Sequence, residues 1–247
     1  MKIIAIGGGS VGAGATEPID RELIVLSGAA NPKALFIPTA SEDSEEYVEQ
    51  FSAAYSRYGC EVTVLRLLGS DGDRDIAKAK IAAADLIYVG GGNTKMMLEV
   101  WRAFGVDVAL RAHLEGGKPA GGLSAGAICW FRMGNSDWPL YEGIPGVNTA
   151  PLDALGFVDL VLCPHTRDEG HRLSEFRAMM QQVGGVGLGL DDCCAIEIVD
   201  DQYRILASEP LSIAHRIEWN GVRLIETELV SHTDFRPLAD LTTPTPN

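Results

Sequence analysis

The sequence predicts an α/β fold, doubly wound, with a mostly parallel sheet flanked by helices. Short β-rich runs alternate with longer helical patterns along the chain, and glycine clusters close several of the strands. The composition is that of a glycine-rich globular protein, with 28 glycines and 46% hydrophobic residues in 247. That length is ample for a full hydrophobic core.

The first strand covers 2–6 and ends in Gly7-Gly8-Gly9. Helical periodicity follows over 19–29, then a strand at 34–37. An amphipathic helix spans 44–58, with Tyr47, Val48, Phe51, Ala54 and Tyr55 as its apolar residues. A strand at 61–65 and a helix at 73–83 lead to a strand at 85–89, closed by Gly90-Gly91-Gly92-Asn93. The next helix, 94–104, takes Asn93 or Thr94 as its N-cap. A helix at 106–115 precedes a strand at 119–123 that runs straight into Ser124-Ala125-Gly126-Ala127. A strand at 160–163, a helix at 173–183 and strands at 186–190 and 195–199 come next. Two alternating runs, 213–219 and 222–228, flank Asn220-Gly221, a strong hairpin signal. The Thr/Pro-rich tail 241–247 is expected to fray. No linker or repeat interrupts the chain, so 1–247 reads as one domain with a C-terminal hairpin at about 213–228.

The net charge is -14, from 20 basic and 34 acidic side chains, which disfavours nucleic acid and anionic membrane as partners. The N-terminal apolar run is too short for a signal peptide, and no stretch approaches the roughly 20 apolar residues of a membrane span. A cytoplasmic location is expected. Cys60, Cys129, Cys163, Cys193 and Cys194 show no metal-binding spacing and read as reduced thiols, so no metal is expected.

Ligands of open α/β sheets sit beyond the carboxyl ends of the strands, where three glycine clusters fall here. The first formally matches G-x-G-x-x-G through Gly7, Gly9 and Gly12. Pro18 interrupts the helix that should follow, however, and the second strand ends in Pro38-Thr39 rather than an acid, which argues against a dinucleotide. The second cluster, Gly90-Gly91-Gly92-Asn93-Thr94, joins a strand to a helix N-terminus whose N–H groups can hold an anion or an oxyanion. The third, Gly122-Leu123-Ser124-Ala125-Gly126, satisfies G-x-S-x-G between a strand and an apolar run at 127–131. It predicts a nucleophile elbow, with small residues on either side of the serine sparing the strand and helix a clash. The Ala125 N–H would face the developing oxyanion.

A serine needs a base. Of the five histidines, His165 in Leu162-Cys163-Pro164-His165 stands just past a strand's carboxyl end, on the edge from which Ser124 emerges. His113 reads as a solvated helix end, His171 as loop surface or substrate wall, and His215 and His232 as structural. Asp137 and Glu142 lie between Ser124 and His165 as candidate orienting acids. Asp191 and Asp192 follow a later strand and could serve at the same edge. The residues alone leave this choice open.

Taken in order, Gly90-Gly91-Gly92-Asn93-Thr94, Gly122-Leu123-Ser124-Ala125-Gly126-Ala127, Asn135-Ser136-Asp137-Trp138-Pro139 and Cys163-Pro164-His165 resemble the peptidase E family. That family comprises serine peptidases, including α-aspartyl dipeptidases, with cyanophycinase as a relative. The similarity covers most of residues 1–200. It implies a fold like that of class I glutamine amidotransferases, no cofactor and a small peptide substrate; the sequence leaves the oligomeric state open, with a homodimer among the options. By position it makes Ser124 the nucleophile, His165 the base and Asp137 the acid, with Glu142 closer to the cyanophycinase-like acid. The oxyanion hole would come from Ala125 with Gly91 or Gly92, and substrate contacts from Asn93 and Arg172. One departure stands out. The arginine that binds the substrate aspartate in the dipeptidases, several residues after a Gly-His pair, is matched here by Phe176, with Arg177 adjacent and Arg172 earlier. The alternative to a hydrolase is a non-catalytic small-molecule or peptide-binding protein of the same fold.

Overall fold

The computed structural model describes residues 1–167 and 170–245. The first half of the chain builds successive strand–helix units: β1 (Lys2–Ile6), α1 (Glu17–Ser27), β2 (Lys33–Ile37), α2 (Glu45–Arg57), β3 (Glu61–Val64), α3 (Arg74–Ala83), β4 (Leu86–Val89), α4 (Thr94–Phe104), α5 (Val106–Glu115) and β5 (Pro119–Leu123). Local chemistry sets the helix starts. Ser44 Oγ accepts from Tyr47 N–H, Asp73 from the N–H groups of Asp75 and Ile76, and Asn93 from Met96 N–H.

The second half continues with α6 (Ala125–Ile128), β6 (Phe131–Ser136), α7 (Trp138–Tyr141), β7 (Ala150–Asp153), β8 (Val158–Cys163), α8 (Arg172–Val183), β9 (Val186–Leu190), β10 (Cys194–Val199), β11 (Gln202–Ala207), β12 (Ala214–Trp219), β13 (Leu224–Leu229), β14 (Arg236–Pro237) and α9 (Leu238–Thr242). The α/β class is as expected, but the strands form two mixed sheets rather than one. The first runs β14-β11-β10-β1-β5-β4-β2-β3, with β1, β5, β4, β2 and β3 parallel and the others antiparallel. The second runs β13-β12-β9-β8-β6-β7, with only β9, β8 and β6 parallel. Short connections such as 200–201 and 220–223 cannot cross over a sheet, so they add antiparallel strands to each parallel core.

Strands buried on both faces read as continuous apolar runs. Alternate residues serve opposite layers. Ile4, Ile6, Phe36 and Tyr88 pack with Ile19 and Leu23 of α1 and Val48 and Phe51 of α2. Their neighbours Ile3, Ala5, Ile37 and Val89 face a cluster shared with Leu160, Leu162, Leu188 and Leu190 of the second sheet. The two sheets therefore bury one common core. On the far side of the second sheet, α8 covers Val161 and Ile217 with Phe176, Met179 and Met180. No helix among the described residues is long and apolar enough to cross a membrane.

Several local expectations differ. The helix after Ser124 stops at Ile128, because Trp130 and Phe131 are drawn into the core as β6 pairs with β8. β6, β7, β11 and β14 were not foreseen from the sequence. The hairpin forms, but over a four-residue loop, with Asn220 Oδ1 accepting from the N–H groups of Val222 and Arg223. The tail does not fray as far as Thr245. Arg216 donates to the carbonyls of Leu241 and Thr243, Glu218 accepts from Thr245 N–H, and Leu241 is buried. The last two residues of that expected tail, Pro246 and Asn247, lie outside the described residues. His113 is buried rather than solvated, its Nε2 3.1 Å from the Pro119 carbonyl oxygen.

Candidate active site

Ser124 N–H donates to Ile6 O at 3.0 Å, extending the β1–β5 pairing by one residue before the chain turns. The backbone then adopts φ 56° and ψ −112° at Ser124, a conformation that costs a non-glycine residue on the order of 1–3 kcal/mol. The flanking glycines permit it. A β-carbon at Gly122 would stand 2.8 Å from Gly126 O, and both glycines press on the Val89 carbonyl of the neighbouring strand. The turn leaves Ser124 half-buried at the carboxyl end of β5, as the elbow reading expects.

His165 follows β8 by two residues, also with a positive φ of 56°. Its Nε2 lies 2.9 Å from Ser124 Oγ, and its Nδ1 2.5 Å from Asp192 Oδ1. With the Nδ1 proton donated to Asp192, Nε2 is the acceptor for the serine hydroxyl. His165 and Asp192 are only 20% and 24% exposed in their side chains, so the pair is shielded yet reachable.

Asp192 sits in the turn 191–193, where the chain leaves the second sheet at β9 and joins the first at β10. Cys193 N–H donates to Gly8 O at 3.0 Å, and Gly7 N–H to Cys194 O at 2.8 Å. Beneath this turn, Asp191 is 2% exposed; its carboxylate accepts from Thr166 Oγ1 at 2.7 Å and from Ile213 N–H at 3.0 Å. The residue after the histidine and the residue before the acid are thereby tied together, while Thr166 N–H donates to Leu190 O. His215 Nε2 lies 3.7 Å from Asp191 on the other side, and its Nδ1 3.2 Å from Glu226, which Arg177 holds in a bidentate pair. Burial alone would raise the Asp191 pKa, but the bonds from His215, Ile213 and Thr166 outweigh it and leave the group below its ordinary value. Burial would lower His215, and the Asp191 and Glu226 carboxylates instead hold it above its ordinary value.

The Gly7–Gly9 cluster acquires a role here that the sequence did not reveal. A β-carbon at Gly8 would collide with Asp192 Oδ1 and the His165 ring, so only glycine leaves room for that pair.

Asp137, expected as the orienting acid, is not at His165. It precedes the first residue of α7 without a side-chain capping bond, and its carboxylate lies 3.8 Å from Arg172 Nη2. Its strand, β6, lies on the side of β8 away from β9, whereas the turn bearing Asp192 emerges beside β1 and the histidine. Glu142 pairs with Lys95, whose ammonium stands 4.3 Å over the Trp138 ring. Arg172, expected at substrate, is 2% exposed and donates to Asn135 O, so its guanidinium is buried within the fold. Asn93 spends its side-chain oxygen on the cap of α4. Gly91 lies against the nucleophile, a β-carbon there standing 3.3 Å from Ser124 Cβ, and its N–H donates to Tyr47 Oη at 3.4 Å. Ala125 is the first residue of α6, so its N–H has no acceptor four residues back.

A cleft of about 340 Å³ opens over Ser124 and His165. Residues 9–11, Gly91 and Gly92, Leu123, and Tyr47 and Gln50 of α2 wall it. Burial pushes the Tyr47 phenol up to about 12, so it remains a neutral hydroxyl. A larger cavity of about 670 Å³ between α3 and α5 shares no residue with this cleft. The five cysteines are buried and form no disulfide; Cys129, beside the elbow, has its thiol pushed well up by burial and is no rival nucleophile. Among the described residues, no cluster of His, Cys, Asp or Glu could hold a metal ion.

The model of peptidase family S51 matches residues 3–206. The uncharacterized peptidase YgaJ of Bacillus subtilis is 32% identical over 222 residues, covering 87% of this chain and 91% of that protein. A peptidase E of Streptomyces coelicolor is 29% identical over 139 residues, covering 56% of this chain and 53% of its own length. Among solved structures, a peptidase from an acI-B1 actinobacterium superposes with a TM-score of 0.74 at 17% identity, covering 96% of each chain. A putative peptidase E from Listeria monocytogenes gives 0.59 at 22% identity, covering 92% of this chain and 98% of that one.

Proposed function

The chain belongs to peptidase family S51, a serine peptidase family, and on that premise we propose that it hydrolyses small peptides through Ser124, His165 and Asp192. One observation carries the reading: the unbroken line of contacts from Ser124 Oγ through the two ring nitrogens of His165 to Asp192. In this mechanism Ser124 Oγ attacks the scissile carbonyl carbon while His165 Nε2 takes the hydroxyl proton. Asp192 keeps the ring in the right tautomer and stabilises the imidazolium. Negative charge gathers on the carbonyl oxygen, facing the N–H groups of Ala125 and Gly92, since that of Gly91 is given to Tyr47 Oη. His165 then protonates the leaving amine, and an acyl-serine ester remains. Water, deprotonated by the same nitrogen, releases the acid and restores the serine.

The test compares acids. Asp192→Asn should lower turnover on the order of 10⁴-fold, because the imidazole loses its tautomer and charge partner. Asp137→Asn should cost about tenfold or less, and Ser124→Ala should abolish both turnover and labelling by a fluorophosphonate. If Asp192→Asn turned over peptide at near wild-type rate while Asp137→Asn did not, the acid would be Asp137.

A further inference from the structure

We propose that Tyr47 is a positioning residue for this reaction: its phenol oxygen anchors the Gly90-Gly91-Gly92 turn and so keeps the Gly92 N–H in place for the oxyanion. The inference rests on the reading of Ser124 as nucleophile. It adds a side chain from α2, a helix that carries no member of the triad.

Three consecutive glycines form a backbone of unusual conformational freedom, whereas an oxyanion donor helps only if its peptide plane is fixed before the charge develops. Backbone bonds tie the turn at both ends: Gly90 N–H donates to Ile37 O at 3.1 Å, and Asn93 N–H to Ala40 O at 2.8 Å. Between those ties a side chain supplies the anchor, with Gly91 N–H donating to Tyr47 Oη at 3.4 Å. Of the four successive N–H groups from 90 to 93, only that of Gly92 is left without an acceptor among the described residues. Gly92 has a φ of 134° and shares the wall of the cleft with Ser124, Gly91 and Tyr47.

Tyr47 is itself held firmly. Its N–H donates to Ser44 Oγ at the start of α2, and its ring meets Phe36 edge to face with centroids 5.0 Å apart. A β-carbon at Gly90 would stand 2.9 Å from Tyr47 Cε1, so the ring lies on the turn that its hydroxyl anchors. Gly91 abuts the nucleophile on its other side. Without the phenol oxygen, the middle of the turn can rotate between its two tied ends, and the Gly92 N–H loses its fixed direction.

The experiment uses Tyr47→Phe, which keeps the ring and its contacts and removes only the oxygen. On the best substrate of a dipeptide panel, kcat should fall about tenfold to a hundredfold, with KM changed by less than about twofold. The rate of fluorophosphonate labelling should fall with kcat, because the phosphoryl oxygen takes the place of the oxyanion. Amide hydrogen exchange should quicken at Gly91 while Gly90 and Asn93 keep their protection, and the melting temperature should stay at the wild-type value. The proposal is overturned if the variant keeps kcat within about twofold of wild type, or if the loss lies in KM with kcat held, the mark of a substrate contact. It is also overturned if kcat falls only in step with the folded fraction, which would make the tyrosine structural. Wild-type protein that fluorophosphonate fails to label would instead remove the nucleophile reading, so the two failures are distinct.

Discussion

Asp20 offers a quantitative test of the packing beneath the cleft. It is fully buried in α1, where Thr16 Oγ1 donates to one carboxylate oxygen at 2.8 Å and Tyr55 Oη to the other at 3.2 Å. No cation reaches it among these contacts, and the stacked rings of Phe36, Phe51 and Tyr55 make the surroundings apolar. Burial wins over the two hydrogen bonds, and the pKa rises to about 7. The native state then holds a proton that the unfolded chain, with an aspartate near about 3.9, gives up at lower pH. Stability from this group is greatest below the unfolded value and falls as pH rises from about 4 to about 7, remaining flat above. A separation of about three units corresponds to about 4 kcal/mol across the whole window, and about 2 kcal/mol between about pH 5.5 and pH 8. Asp20→Asn keeps the shape and cannot ionise. Urea unfolding at those two pH values should show the wild type losing about 2 kcal/mol more than the variant as pH rises. Equal losses in the two proteins would refute the claim that Asp20 folds as a neutral acid.

Two further substitutions probe the support of the acid. Gly8→Ala should cut turnover and labelling on the order of 10³-fold or more while the melting temperature moves little, since the new methyl displaces Asp192 or His165 rather than core; wild-type labelling would show that the pair tolerates the methyl. Asp191→Asn should cost about 1–3 kcal/mol in denaturant unfolding and lower the His215 pKa, because the imidazolium loses its partner. An unchanged His215 titration, followed by NMR, would contradict that pairing. The raised His215 pKa contributes stability below its unfolded value, lost as pH climbs through the folded one.

Local signals carried much of this molecule. The nucleophile was legible because G-x-S-x-G needs only the strand before it and the small residues around it, and the histidine because Pro164-His165 follows an apolar strand. The acid was not legible. Asp137 and Asp192 are both polar residues after strands, and choosing between them requires knowing that β9 and β10 lie in different sheets, a fact of long-range pairing. The same limit hid Gly8, whose constraint comes from residues 157 and 184 positions later. β6 and β7 were missed because Phe131-Arg132-Met133-Gly134-Asn135-Ser136 lacks the alternation of a strand and is made one by its neighbour β8.

The chain's passage between sheets has a mechanical consequence. Ser124 is rooted in the first sheet and His165 in the second, while Asp192 rides on the strap that joins them. Of the two contacts in the line, the 2.9 Å approach of serine to imidazole bridges the seam, whereas the histidine and acid are laced together by the Thr166–Asp191 bond below. A small slippage of one sheet over the other would thus part the hydroxyl from its base and leave the histidine–acid pair whole. Residues far from the cleft, such as Leu160 and Leu188 meeting Ile3 and Ala5 across the shared core, set the alignment of the nucleophile by fixing how the two halves of the molecule are seated.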